Sequence, residues 1–249
     1  MCMARISQRT RRLMNNLYLW INLGTILFPL ILSFDKKVSF YKFWPQAFPA
    51  IALTAVLFLL WDQWFAQMHV WGFNSIYLCS YYLYDLPIEE VMFFFTVPYA
   101  CIFIYECLKA YIGKSETFEE LYRWFTLLFF GISCSLLYWY NDHLYTALTS
   151  LFLSLLLGTH LMVIKRRYMS WFYFAFVVSL VPMLIVNGLL TAFPVVHYNE
   201  AEITGFRIGS IPIEDFLYNM AMLAMCIGLY EWFKRLSHRR QLHPQKQSS

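Results

Sequence analysis

Seven separate runs of mostly apolar residues constrain the fold more than any other feature of this sequence. They cover approximately residues 17–34, 47–66, 88–108, 121–140, 144–164, 171–193 and 213–233. A helix that crosses a bilayer needs roughly 20 such residues. Because lipid offers no partners to backbone polar groups, a spanning segment must satisfy them internally, as a helix does. The sequence therefore predicts an all-α polytopic membrane protein with about seven transmembrane helices.

The composition excludes several other classes of protein. Only 14% of the residues are charged and 60% are hydrophobic, whereas a soluble domain carries about 25% charged residues. No dinucleotide or ATP motif is present, and the six cysteines and six histidines lack metal-ligand spacing. We therefore expect no metal and no cofactor. We also expect no nucleic-acid partner, since the basic residues lie at the ends of the apolar runs.

The distribution of Lys and Arg predicts an orientation in the membrane. If all seven runs cross it, five basic residues lie on the side of the N-terminus and fourteen on the other side. Positively charged loops stay in the cytoplasm. The sequence thus predicts a multi-pass protein of a bacterial cytoplasmic membrane with its N-terminus outside and its C-terminus inside.

An internal repeat with an offset of 125 residues divides the chain. Residues 87–90 read PIEE and residues 212–215 read PIED, and the same offset aligns Tyr105-Glu106 with Tyr230-Glu231. We expect a first three-helix repeat in residues 1–110, a linking helix in 111–143 and a second three-helix repeat in 144–249. Four helices separate equivalent points, so the repeats are expected to be parallel, with both acidic motifs on one membrane face.

The paired acids are the candidate catalytic residues. They are Glu89, Glu90, Glu214 and Asp215. A proline followed by one acid is an ordinary helix start, but a second adjacent acid near lipid has no such explanation. Burial and a like-charged neighbour favour the protonated form of a carboxyl group. Each pair could therefore offer a proton donor and a proton acceptor in one place.

Five further polar residues lie around the repeated motifs and are candidates for supporting the acids or binding substrate. They are Asp62, Asn74, Asn187, Asn199 and Arg207. The first four either orient the acids or cap helix boundaries. Arg207 either holds an acid ionised or extends to the surface.

Glu106 and Glu231 are expected to have a simpler role. They lie at the far ends of their helices, and each is followed three residues later by a lysine, Lys109 or Lys234. This spacing predicts a local ion pair on each helix.

Two segments resemble a known enzyme family. Residues 62–106, with LYDLPIEEVMFFF, and residues 187–231, with GSIPIEDFLYNM, resemble the two halves of the membrane-integral lycopene β-cyclases, whose signature is PxE(E/D). The resemblance implies redox-neutral cyclisation of the ψ end groups of lycopene to β-ionone rings, giving γ-carotene and then β-carotene. It also implies a lipophilic carotenoid partner within membrane lipid, and it leaves open contacts with pathway enzymes or a second copy of the chain.

Such a cyclisation suits paired carboxyl groups in an apolar bundle. A general acid protonates the terminal double bond, the C5=C6 bond attacks the cation at C1, and a base removes the C6 proton. Apolar walls must keep water from trapping the cation.

Two alternatives start from the same residues. A carotenoid end-group hydratase would let water trap the same cation. A small proton-coupled transporter would use the acids as a proton relay. A retinal protein is disfavoured because the last apolar run has no lysine in its middle, and a prenyltransferase because no DxxxD cluster is present.

Overall fold

The computed structural model describes residues 16–113, 116–164 and 168–242. Within these residues the chain forms seven α-helices. They are α1 (Leu17–Leu32), α2 (Trp44–Gln67), α3 (Ile88–Ile112), α4 (Glu116–Trp139), α5 (Leu144–Thr159), α6 (Tyr168–Ala192) and α7 (Ile213–Leu242). The predicted all-α class is confirmed, and these residues form seven helices as predicted; that all seven cross the membrane stays a prediction.

Five helical segments are long and apolar enough to cross a membrane, which makes the chain a multi-pass integral membrane protein. They are Phe40–Gln67, Ile88–Ile112, Leu144–Met162, Tyr168–Ala192 and Ile213–Arg239. The sixth apolar helix, α1, has only 16 residues, and α4 is not among the five. The predicted orientation, N-terminus outside and C-terminus inside, stays a prediction.

Short strands join the loops that precede α3 and α7. Strand β1 (Trp71–Phe73) pairs in antiparallel register with β4 (Val196–Tyr198). Two small hairpins, β2 (Tyr82–Leu83) with β3 (Leu86–Pro87) and β5 (Arg207–Ile208) with β6 (Ile211–Pro212), lead into these helices. The β1–β4 pair ties the two loops together over the start of both helices.

Helices α3 and α7 start at the same end of the bundle, which we call the acid end. The start of α1 and the end of α2 reach it as well, since Tyr18 bonds to Glu90 and Tyr218 of α7 bonds to Asp62. The start of α5 lies there too, with Tyr145 bonded to Asp215. Chain direction thus alternates from helix to helix, and both acidic motifs lie at one end.

At the end opposite the acid end, the predicted ion pairs within single helices are mostly wrong. The closest contacts there join α3 to α7. Lys109 of α3 lies 2.9 Å from Glu231 of α7, and Lys234 of α7 lies 2.9 Å from Glu106 of α3. Within α3 itself, Lys109 and Glu106 are 3.6 Å apart. The two helices run side by side there, so each lysine reaches the neighbouring helix. We call these four residues the crossed ion pairs.

Two tyrosines complete the crossed ion pairs. Tyr105 donates to Glu231 at 2.7 Å, and Tyr230 donates to Glu106 at 2.9 Å. Both tyrosines are fully buried. Each glutamate therefore has a lysine and a tyrosine as partners.

Candidate active site

A pocket at the acid end brings together carboxyl groups from three helices. Asp62 comes from the last turns of α2, Glu90 from the first turn of α3 and Asp215 from the first turn of α7. All three are buried. The adjacent-acid motifs therefore contribute one carboxyl group each to a single pocket.

Glu90 lies against two neighbours on the first side of the pocket. The hydroxyl of Tyr18 donates to Glu90 Oε2 at 2.6 Å. Asp62 lines the pocket beside Glu90. Two carboxyl groups that face one buried pocket repel each other when both are ionised, which favours a proton on one of them. We call these two residues the Asp62–Glu90 pair.

Asp62 is fixed by a contact with α7. Tyr218 of α7 donates a hydrogen bond to Asp62 Oδ1. This bond holds the carboxyl group of α2 in place and links α2 to α7.

Asp215 has a different environment on the other side of the pocket. Tyr145 donates to its Oδ1 at 2.9 Å and Tyr198 donates to its Oδ2 at 2.8 Å. Burial, followed by the nearby Asp215 carboxylate, raises the pKa of Tyr198 well above its ordinary value, so this hydroxyl keeps its proton and donates. With both oxygens accepting, Asp215 is arranged as a proton acceptor.

The first acid of each motif does not line the pocket. Glu89 Oε1 accepts from the backbone amide of Cys79 at 2.7 Å, and Glu214 Oε1 accepts from that of Thr204 at 2.6 Å. Thr146 adds a hydroxyl bond to Glu214 at 2.7 Å. Successive residues at a helix start point in different directions, so only one of two adjacent acids faces the pocket. Glu89 and Glu214 instead fasten the preceding loops to α3 and α7.

Of the other five candidates, Asp62 and Asn187 line the pocket and three do not. Asn74 accepts from the amide of Ile76 at 3.2 Å and Asn199 from that of Ala201 at 3.1 Å, so both stabilise turns. The guanidinium of Arg207 lies 2.6 Å from Glu200 at the surface. Arg207 touches the site only indirectly, since it stands over the ring of Tyr198 with 5.9 Å between guanidinium carbon and ring centroid.

The sequence reasoning missed the tyrosines that hold the acids. Tyr18 and Tyr145 are each the second residue of a 16-residue helix, α1 and α5. Tyr18 donates to Glu90 of α3, and Tyr145 donates to Asp215 of α7. Their matching positions at the starts of two apolar runs were a detectable signal.

Comparison with known proteins adds the family. The model of a family described as lycopene cyclase matches residues 15–108 and 142–233, which is more than half of the chain. The chain belongs to the lycopene cyclase family. No curated protein and no solved structure matches it.

Membership of the lycopene cyclase family indicates an enzyme of carotenoid cyclisation with a carotenoid substrate. The two matched segments begin 127 residues apart, at 15 and 142, and end 125 residues apart, at 108 and 233. Asp62 and Glu90 lie in the first segment and Asp215 lies in the second. The pocket is therefore built from both parts that characterise the family.

Proposed function

We propose that this lycopene cyclase family member is a β-cyclase, which closes the ψ end groups of lycopene to β-ionone rings by acid–base catalysis. One observation carries the proposal: a single pocket is lined by the Asp62–Glu90 pair and by a separate carboxyl group, Asp215, which accepts from two donors. A cyclase needs one proton donor and one proton acceptor around the same end group.

The Asp62–Glu90 pair is the proton donor. Its proton adds to C2 of the terminal C1=C2 double bond, whose electrons form the new C–H bond and leave a tertiary cation at C1. The electrons of the C5=C6 bond then form the C1–C6 bond, and the positive charge moves to C5. Tyr218 and Tyr18 stabilise the negative charge left on the pair by hydrogen bonding to it.

Asp215 is the proton acceptor. It takes the proton from C6, and the electrons of that C–H bond form the new C5=C6 double bond of the β ring. One proton is added and one is removed, so the product is an isomer of the substrate. Proton transfer from Asp215 back to the Asp62–Glu90 pair restores the starting state.

Aromatic side chains around the pocket suit the cationic intermediates. Trp71 lies edge-on to Tyr145, with ring centroids 5.0 Å apart, and to Tyr218 at 6.0 Å. Phe93 lines the same pocket. Aromatic faces attract a cation without reacting with it, and an apolar wall excludes water that would trap it.

We also propose that the chain consists of two parallel three-helix repeats joined by α4. Contacts that recur at an offset of 125 residues support this division. Cys79 and Thr204 donate to Glu89 and Glu214. The amide of Asn74 donates to Val195 at 2.9 Å, and that of Asn199 donates to Val70 at 2.8 Å.

The β-cyclase assignment is tested by expressing the chain in cells that accumulate lycopene and separating their pigments. We expect γ-carotene and β-carotene. Unchanged lycopene, in cells whose membranes contain the intact protein, would overturn the assignment. A hydroxylated acyclic product would show a hydratase instead.

A separate prediction concerns the loop-fastening acids. We expect Glu89→Gln to keep turnover within about tenfold of the original, because the amide oxygen still accepts from Cys79. Glu89→Leu leaves that amide without its acceptor, at a cost of about 1–3 kcal/mol if it stays buried. Hydrogen exchange at Cys79 should accelerate in Glu89→Leu and stay near the original in Glu89→Gln. If Glu89→Gln alone abolished turnover in a folded protein, Glu89 would be catalytic.

A further inference from the structure

A second cavity adjoins the acid pocket. It lies between α1, α3, α6 and α7, and we call it the α1–α6 groove. Phe93, Asn187 and Asn219 line both spaces, so the two cavities are direct neighbours.

The groove is mainly apolar and reaches the outer surface of the bundle. Val97, Ala100 and Ile104 of α3 form one wall, and Met183 and Val186 of α6 form part of the other. Val186 is half-buried and Pro182, also in the lining, is exposed. In a membrane this surface faces lipid, so a hydrophobic molecule has a lateral path from the bilayer to the carboxyl groups.

The corresponding place in the other half is filled by side chains. At an offset of 125 residues, Met183 and Val186 correspond to Phe58 and Trp61 of α2. Thr25, which lines the groove from α1, is seven residues after Tyr18, as Phe152 of α5 is seven residues after Tyr145. Small or flexible residues on one side thus stand where aromatic residues stand on the other.

The three aromatic residues form a closed cluster. The ring centroids of Phe58 and Phe152 are 5.8 Å apart, those of Trp61 and Phe152 are 5.3 Å apart, and those of Phe58 and Trp61 are 5.9 Å apart. Phe58 is fully buried. The bundle is therefore open beside the acids on the α1–α6 side and occupied by rings on the opposite side.

We propose that the α1–α6 groove binds the linear polyene chain of the substrate while its end group lies among Asp62, Glu90 and Asp215. This proposal rests on the proposed function and adds the position of the rest of the substrate. Because the aromatic cluster blocks the equivalent path, the polyene has one direction of approach. Every end group therefore meets the donor pair and Asp215 in the same orientation, and the second ring requires the carotenoid to leave and re-enter.

The test transfers the aromatic residues to the open side. Met183→Phe and Val186→Trp place in the groove the residues found in the cluster. Ile185→Trp is the matched control, since Ile185 is on the same helix and 60% exposed on the outer surface. We expect the two groove variants to lower kcat/KM for lycopene by about 10²-fold, as expected when a substrate is displaced from its reactive position. The control should stay within about twofold.

A binding measurement separates this proposal from the proposed function. Lycopene is added to purified Glu90→Gln protein, and the shift of its absorption spectrum on binding is recorded with and without Met183→Phe. Loss of the shift with Met183→Phe, but not with Ile185→Trp, supports the groove whether or not β-carotene is made. Thermal unfolding identifies variants that fail to fold. If Met183→Phe fails to fold and Val186→Trp folds, the binding measurement uses Val186→Trp.

Two results would overturn the polyene site. One is unchanged binding and turnover in folded Met183→Phe and Val186→Trp proteins. The other is a phospholipid acyl chain retained in the groove of the original protein during full turnover, which would show a lipid site only.

Discussion

Glu90→Gln is expected to lower the rate of ring closure by roughly 10²–10⁴-fold, the usual contribution of a general acid. Glutamine has the shape of glutamate and still accepts from Tyr18, so the pocket keeps its form. It cannot carry the acidic proton that we propose the Asp62–Glu90 pair supplies. Asp215→Asn should have a similar effect, because an amide cannot take the C6 proton.

The measurement is turnover of lycopene by purified protein in lipid, with thermal unfolding recorded for each variant. Glu200→Gln is the matched control, because Glu200 is an exposed acid near the same end that lies outside the pocket. Its turnover should equal that of the original protein. A folded Glu90→Gln protein within about threefold of the original would show that the proton comes from elsewhere.

Glu106→Gln is expected to have its largest effect on stability. It removes the partner of Lys234 and weakens the bond from Tyr230. Breaking a buried ion pair from one side typically costs about 3–5 kcal/mol. We expect the lower end of this range, because the side chain of Lys234 is 24% exposed. Unfolding in lipid or detergent, followed by heating, measures the loss.

Two comparisons make the stability prediction specific. The double variant Glu106→Gln with Lys234→Met removes both charges and should recover part of the loss, since no unpaired lysine remains. Turnover per folded molecule should stay near the original in both proteins, because Glu106 lies 16 residues along α3 from Glu90, or about 24 Å. A catalytic defect as deep as that of Glu90→Gln would contradict this separation of roles.

The sequence predicted the helices well because their signal is local. Seven apolar runs match seven helices, with shifts at the ends such as α7, which continues to Leu242 where the run ends near 233. A basic segment outside the membrane can extend a helix without being apolar. The two acidic motifs were recognised for a similar reason, since adjacent acids at the start of an apolar run stand out.

The orientation of individual side chains was less predictable. Adjacent glutamates carry the same local signal in the sequence. The backbone amide of Cys79, in the preceding loop, donates to Glu89 and leaves Glu90 to face the pocket. Spacing along one helix likewise favoured local pairs for Glu106 and Glu231, whereas the packing of α3 against α7 places each lysine on the other helix. Contacts between helices depend on distances that no single segment specifies.

The reciprocal contacts between the halves bear on how the protein is made. When the first three helices have been synthesised, β1 lacks the strand β4, Asp62 lacks the hydroxyl of Tyr218, and Lys109 lacks Glu231. Neither half can complete its hydrogen bonds before the other has been inserted. The contacts of β1, Asp62 and Lys109 therefore form only after β4 and α7 have been synthesised, which makes completion of the acid end a late step in the assembly of the protein.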